Sequence, residues 1–158
     1  MINAFFVQQI KSNLTFQPTS GQEQALNALA DFMLSTQPDS LFLLKGYAGT
    51  GKTSLVGALV KTLDALQQKV VLLAPTGRAA KVFSRSAGHP AYTIHKKIYR
   101  QRSFSNRTDN FSLSDNLHQH TLFLVDESSM IANEGLAGAG FGSGRLLDDL
   151  VQYVYSGQ

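Results

Sequence analysis

Residues 46–53 read GYAGTGKT, and the types and spacing of these residues suit one kind of chemistry. They fit the pattern G-x-x-x-x-G-K-[ST], in which each fixed position has a physical role. Gly46, Gly49 and Gly51 have no Cβ, so their backbone can adopt positive φ angles and wrap closely around phosphate groups. The unpaired N–H groups at the start of a following helix favour an anion. The segment therefore predicts a phosphate-binding loop for a nucleotide.

The polar side chains that close this motif have separate expected roles. Lys52 is expected to reach the β and γ phosphates of ATP, and the Thr53 hydroxyl to ligate Mg²⁺. The alternative is a glycine-rich turn that a lysine happens to follow. The context favours the nucleotide site, because the apolar run before the loop predicts a buried strand and residues 54–66 predict a helix.

A pair of carboxylates supplies the second part of the expected chemistry. Asp126 and Glu127 directly follow the apolar run TLFLV. In a phosphate-loop protein the first acid can hold Mg²⁺, directly or through water, and the second can orient or deprotonate a water. Two acids after a strand could instead simply begin a loop. Because a Mg²⁺ site already requires such a carboxylate, we interpret Asp126 as a metal ligand and Glu127, with Lys52, as catalytic.

The elements that must position these residues alternate between strands and helices. Apolar runs at 41–45, 70–74 and 121–126 predict strands, and helical patterns separate the first two. This order predicts one α/β domain over 1–158, with a mainly parallel sheet. Helices are also predicted near 2–14 and over 145–155, and a mobile linker over the glycine-rich residues 135–144.

Gln22 has two possible roles. Thr19 and Gln22 match the T-x-x-Q capping box, which predicts a helix that begins there. The glutamine amide could instead read the edge of an adenine base. Spacing alone favours capping.

Three further residues follow predicted strand ends, where ligands gather in open α/β sheets. Thr76 and Arg78 come just after the run at 70–74, and Arg78 shares a helix side with Lys81 and Arg85. Taken alone, this spacing favours a solvated basic face. His95 precedes a polar stretch, and residues 96–120 predict a β-hairpin with its turn at 106–110. Phe104 and Phe111 could be a cross-strand pair or apolar tips offered to a base, and the cross-strand pair is favoured.

Composition narrows the class of protein. The chain has 43% apolar and 16% charged residues, as expected for a globular protein, and its formal charge of +3 is weak support for an anionic partner. The absence of cysteine excludes disulfides and thiolate zinc sites. No apolar run approaches the roughly 18 residues of a membrane span, so we expect a cytoplasmic protein without a membrane partner.

Several motifs in order resemble the superfamily 1 DNA helicases of the RecD and Dda kind. GQEQA around Gln22 resembles the adenine-reading Q motif, and GYAGTGKT resembles motif I. APTGRAAK, TIH and VDESSM resemble motifs Ia, Ib and II in turn. The match runs through most of the chain.

This resemblance implies a three-layer, RecA-like P-loop NTPase fold and an ATP-dependent DNA helicase of the exodeoxyribonuclease V alpha type. It implies ATP and Mg²⁺ as cofactors and single-stranded DNA as partner, contacted by Thr76, Arg78 and His95. The full implied nucleotide-binding set is Gln22, Gly46, Gly49, Gly51, Lys52, Thr53 and Ser54. Residues 96–120 fall where such helicases carry a strand-separating pin.

The sequence departs from the family at its end. Its residues stop before the expected motif III, so the second RecA-like domain and its arginine finger are expected in a longer, full-length helicase; the alternative is a natural truncation that binds nucleotide without working as a motor. Poor ATP turnover by the chain alone is therefore expected. The alternatives are a P-loop module of a kinase or assembly ATPase without a DNA role, and a non-catalytic interaction domain that retains the loop.

Overall fold

The computed structural model describes residues 1–101, 111–134 and 140–157. The described helices are α1 Ile2–Ser12, α2 Ser20–Leu34, α3 Lys52–Ala65, α4 Gly77–Ala87, α5 Ile94–Ile98 and α6 Leu146–Tyr155. The described strands are β1 Lys69–Ala74, β2 Ala91–Thr93, β3 Tyr99–Gln101, β4 Phe111–Leu113 and β5 Thr121–Val125. The chain divides into two units, the first formed by Met1–Gln68 with Ser86–Gly88 and the second by Lys69–Arg85 with His89–Gln158. The prediction of one domain over 1–158 stays a prediction.

The first unit is a cluster of three helices, in which α1 packs against both α2 and α3. The buried apolar residues of these helices include Ile10, Leu26, Ala30, Leu59, Val60 and Leu63. A hydrogen bond from Asn13 Nδ2 to Thr62 Oγ1, at 3.0 Å, also joins the end of α1 to α3. The helical periodicities in the sequence therefore predicted these three elements correctly.

A parallel sheet with the order β2-β1-β5 forms the centre of the second unit. Leu72 of β1 is paired with Ala91 on one side and with Leu124 on the other. Residues 70–74 are all buried, which is the pattern of a central strand covered on both faces. The parallel pairing of the runs at 70–74 and 121–126 and the mixed α/β fold of a RecA-like P-loop domain are confirmed.

The predicted strand at 41–45 is wrong. These residues lie in the described part of the chain but form no strand there, and Leu41 and Leu43 are 68% and 57% exposed. Phe42 instead contacts Phe32 of α2, with ring centroids 5.6 Å apart. Apolar character reports only that a segment can be buried, whereas a strand also needs the backbone of a neighbour. The third strand of the sheet is β2, which is too short to give a periodic signal.

The predicted hairpin is present at its base, where β3 and β4 pair in antiparallel fashion. Gln101, and not Phe104, lies opposite Phe111. Phe104 and the turn predicted at 106–110 fall outside the described residues. The hairpin base packs on the core of the second unit, which α5 and α6 complete through Ile94, Ile98, Leu150 and Tyr153. No helix in the described ranges is long and apolar enough to cross a membrane.

Candidate nucleotide and nucleic-acid sites

The phosphate-binding loop joins residue 45 to α3 in the first unit. Gly49 and Gly51 have φ angles of +78° and +85°, in the left-handed region that favours glycine. A Cβ at Gly51 would lie 2.6 Å from Nε2 of Gln22, and one at Gly46 would lie 2.7 Å from Oγ1 of Thr50. The three predicted glycines are therefore explained by backbone conformation or by close approach.

Lys52 is the first residue of α3, two residues before the predicted helix start. Its Nζ donates to the carbonyl oxygens of Gly46 and Tyr47 at 2.5 and 2.8 Å, so the ammonium group lies against the inner backbone of its own loop. Thr53 and Ser54 are exposed in the first turn of the helix. A cation, exposed hydroxyls and the unpaired N–H groups of a helix start suit a polyphosphate.

Gln22 connects the helix cap to this loop. Its Oε1 accepts from the backbone N–H of Thr19 at 2.9 Å, and Thr19 Oγ1 accepts from the N–H of Gln22 at 3.3 Å, so the capping box is confirmed. Its Nε2 also donates to the carbonyl oxygen of Thr50 at 2.9 Å. Both ends of the amide are engaged, so adenine recognition would exchange these hydrogen bonds for bonds to the base. That role stays a prediction.

The carboxylate pair lies at the end of β5 in the second unit. The N–H of Asp126 donates to the carbonyl oxygen of Leu73 at 3.0 Å, which continues the pairing of β5 with β1. Asp126 Oδ1 accepts from the N–H of Glu127 at 2.9 Å. Glu127 has φ +53° and ψ +37°, a left-handed conformation that costs a non-glycine residue about 1–3 kcal/mol and is common at functional sites.

The side chains assigned to the metal have suitable chemistry. Thr53 and Asp126 offer the hydroxyl and carboxylate oxygens that Mg²⁺ prefers over nitrogen or sulfur. Within the described ranges, His, Asp and Glu side chains form no group of three that could hold a metal by themselves. Mg²⁺ bound with a nucleotide usually takes only one or two protein ligands beside phosphates and waters, so each of these oxygens, Thr53 in the first unit and Asp126 in the second, has the chemistry of such a ligand.

Thr76, His95 and Asp126 follow the ends of three neighbouring parallel strands. Thr76 comes two residues after β1, His95 two residues after β2, and Asp126 directly after β5. Because β1 is parallel to both neighbours, all three residues lie at one edge of the sheet. The fold thus brings the acid pair and two of the predicted DNA contacts to the same edge.

Local hydrogen bonds fix the loops that carry the predicted DNA contacts. Thr76 Oγ1 accepts from the N–H of Ala79 at 3.2 Å, as an N-cap of α4 does. Thr93 Oγ1 caps α5 in the same way, through the N–H of Lys96 at 3.2 Å. Arg78 is exposed and makes no salt bridge with any acid in the described part of the chain. The basic face of α4 can therefore meet an anionic ligand.

The sequence missed a buried network around Tyr99 and Asp149. The Tyr99 hydroxyl donates to Asp149 Oδ2 at 2.6 Å, and Asp149 is only 3% exposed. Burial, followed by the hydrogen bond and the charge of Asp149, raises the pKa of Tyr99 well above its usual value. The N–H of Ser143 donates to the same carboxylate oxygen at 3.0 Å. Residues 140–144 are therefore tied to the core, and the linker prediction is wrong for that part of 135–144.

The fold and the loop define a P-loop NTPase domain. A sequence model of the AAA domain family matches residues 17–139. The chain therefore belongs to the AAA domain family, whose match covers the loop, the acid pair and all the predicted contacts.

Curated relatives make the resemblance more specific. The multifunctional conjugation protein TraI of Escherichia coli is 35% identical over 141 residues, which cover 84% of this chain and 7% of TraI. The ATP-dependent RecD2 DNA helicase of Deinococcus radiodurans is 32% identical over 100 residues, which cover 59% of this chain and 12% of that protein. The resemblance to RecD-like helicases is confirmed, and the chain spans only about a tenth of the length of these relatives.

Proposed function

We propose that this chain is the ATP-binding and ATP-hydrolysing domain of an ATP-dependent DNA helicase of the RecD kind. The observation that carries the proposal is the single sheet edge that holds Asp126 and Glu127 together with Thr76 and His95. A strand of DNA at that edge would contact the same short loops that carry the hydrolytic acids. The phosphate loop of the first unit supplies the nucleotide site.

Each residue has one role in this proposal. Lys52 would exchange its two carbonyl acceptors for phosphate oxygens, and Thr53 and Asp126 would each offer an oxygen to Mg²⁺, which would supply neutralisation of phosphate charge. Ser54, Gly46, Gly49 and Gly51 shape the nucleotide site, and Gln22 reads adenine. Glu127 orients the attacking water and accepts its proton. Thr76, Arg78 and His95 contact single-stranded DNA, and the hairpin of β3 and β4 acts as a pin beside it.

The proposed nucleotide binding is tested by calorimetric titration with a non-hydrolysable ATP analogue in the presence of Mg²⁺. Lys52→Ala should remove detectable binding, because the cation that faces the β and γ phosphates is lost. Lys61→Ala is the matched control, since Lys61 is an exposed lysine on the same helix with no assigned role. Unaltered affinity in Lys52→Ala would contradict the assignment.

The proposed DNA binding is tested by fluorescence anisotropy with a labelled single-stranded oligonucleotide at several salt concentrations. Arg78→Ala should weaken binding and reduce the salt slope by about 0.7, the value for one phosphate contact on a single strand. Lys61→Ala again serves as the control. If the wild type binds no single-stranded DNA at any salt, or binds duplex better, a nucleotide-binding module without a DNA role becomes the better account.

A further inference from the structure

Phe141 lies at the centre of an aromatic cluster that includes the predicted DNA contact His95. Its ring stacks on Phe111 of β4, with centroids 4.5 Å apart and planes inclined by 13°. Its centroid is 5.1 Å from that of His95, in an edge-to-face arrangement, and 5.4 Å from that of Tyr99. His95 and Tyr99 are themselves 5.7 Å apart. One phenylalanine therefore contacts both the imidazole and the base of the hairpin.

Backbone hydrogen bonds hold Phe141 against β4. The N–H of Phe111 donates to the carbonyl oxygen of Gly140 at 2.7 Å, and the N–H of Gly142 donates to that of Phe111 at 2.9 Å. The N–H of Gly144 then closes a turn onto the carbonyl oxygen of Phe141 at 2.9 Å. Together these bonds attach residues 140–144 to the hairpin, where Phe141 and Phe111 form an isolated β-bridge.

The buried Asp149 carboxylate holds the same segment from the other side. It accepts from Ser143 N–H and from the Tyr99 hydroxyl, so it ties residues 140–144 to the strand that follows α5. A Cβ at Gly142 would lie 2.2 Å from Asp149 Oδ2, and Gly142 has a positive φ of +46°. Only glycine fits at this position. The place of Phe141 is thus determined by β4, by Tyr99 and by α6.

We propose that Phe141 is a positioning residue that fixes the His95 imidazole for its contact with single-stranded DNA. The inference rests on the proposed function, in which His95 makes that contact. A half-buried histidine loses rotamer freedom when it binds, and a ring already held in one orientation loses less. The edge-to-face contact with Phe141 supplies this restriction and links it to the base of the hairpin.

The test is a double-mutant cycle in single-stranded DNA affinity. Phe141→Leu keeps an apolar side chain but removes the ring contacts with His95, Tyr99 and Phe111. Loss of the pair with His95 should weaken binding by about 3- to 10-fold, the range expected for one aromatic pair. In a His95→Ala background the same change should have less than about a twofold effect, since the group it positions is gone. If Phe141 had a merely structural role, Phe141→Leu would weaken binding equally in both backgrounds. That result would overturn the proposal.

Phe123→Leu is the matched control, because Phe123 makes edge contacts with His118 and Tyr153 but none with His95. Any effect of Phe123→Leu on single-stranded DNA affinity should be the same with and without the His95 side chain. Tyr99→Phe gives a second variant that keeps the ring and removes only the hydrogen bond to Asp149, in case Phe141→Leu fails to fold. It should weaken binding in the same His95-dependent way.

The NMR signals of the His95 ring give a readout independent of DNA. Phe141→Leu should shift them and shorten the time for which the ring stays in one orientation, whereas Phe123→Leu should not. If His95→Ala weakens DNA binding but Phe141→Leu changes neither affinity nor the His95 signals, this inference fails while the proposed function stands. If His95→Ala leaves DNA affinity unchanged, the assigned contact fails and the inference fails with it.

Discussion

Single side chains in this protein are engaged in contacts that their proposed ligands would have to replace. Lys52 donates to two carbonyl oxygens of its own loop, and Gln22 binds the backbone of Thr19 and Thr50. The Glu127 side chain is exposed, and only the backbone N–H of this residue donates to the carboxylate of Asp126 in the described part of the chain. Nucleotide binding and nucleotide hydrolysis are therefore assigned to different residues and can be tested by different substitutions.

Glu127→Gln should keep nucleotide binding and lose hydrolysis. The amide preserves the size of the side chain but cannot accept a proton from the attacking water, and general-base catalysis contributes about 10²- to 10⁴-fold. Phosphate release under multiple turnover measures the rate, and analogue titration measures the affinity. Glu134→Gln is the control, since Glu134 is an exposed glutamate in the same unit. Hydrolysis at the wild-type rate in Glu127→Gln would refute the assignment.

The two possible roles of Gln22 are separated by comparing it with its capping partner. Thr19→Ala and Gln22→Ala should both reduce the free energy of unfolding, by about 1 kcal/mol for loss of the cap. Only Gln22→Ala should also reduce the preference for ATP over GTP in competition titrations, because only the amide can read the base. An equal ATP preference in both variants would leave Gln22 as a capping residue alone.

At the scale of elements, side-chain hydrogen bonds fix the ends of helices in the second unit. Thr76 and Thr93 cap α4 and α5, and Asn116 serves the opposite end of α6. The buried amide of Asn116 donates to the carbonyl oxygens of Tyr153 and Val154 at 2.9 and 3.2 Å, and its oxygen accepts from the N–H of His118. It thus adds a partner for the Val154 carbonyl at the helix end, while the Tyr153 carbonyl also accepts from the N–H and Oγ of Ser156 at 3.3 and 2.8 Å.

Asn116→Ala should lower the free energy of unfolding by about 1–3 kcal/mol, because the Val154 carbonyl oxygen and the His118 N–H lose their Asn116 partner. Urea denaturation followed by circular dichroism measures the change. Asn27→Ala provides the comparison, since Asn27 is exposed on α2 and bonds only within its own helix. A loss no larger than that of Asn27→Ala would show that the Asn116 bonds add little to stability.

At the scale of the whole molecule, two lysines from separate elements act on His118. Burial lowers the pKa of His118, and the charges of Lys97 and Lys69 lower it further. Lys69 begins β1 and Lys97 lies on α5, so the strand and the helix contribute to the same local field. Protonation of His118 is therefore less favourable in the folded chain than in the unfolded chain.

This difference predicts a loss of stability as the pH falls. Below the unfolded histidine pKa of about 6.5, the unfolded chain binds more protons than the folded chain. The stability that is present above that pH is therefore lost as the pH falls. His118→Gln should reduce the difference in urea midpoint between pH 7.5 and pH 5.5, and Lys97→Gln should reduce it partly. Identical pH dependence in the wild type and His118→Gln would contradict this origin.

The sequence by itself determined those features that depend on local chemistry. The spacing of glycines, lysine and threonine in 46–53 predicted the loop, and the helical stripes predicted α1, α2, α3 and α6, because periodicity is a property of neighbours along the chain. The capping box at Thr19 predicted the start of α2 for the same reason. The acid pair was predicted from its place after an apolar run.

Only the tertiary structure decided which extended segments form a sheet and which distant side chains meet. Residues 41–45 have the apolar character of a strand but no paired neighbour in the part of the chain that the structure describes, while the three residues of β2 pair with β1 in spite of their weak signal. Tyr99 and Asp149 are 50 residues apart in the chain and share a hydrogen bond, and Phe141 joins His95 to the hairpin. Strand pairing and buried networks are contacts between remote parts of the chain, so their energies appear only when the fold brings those parts together.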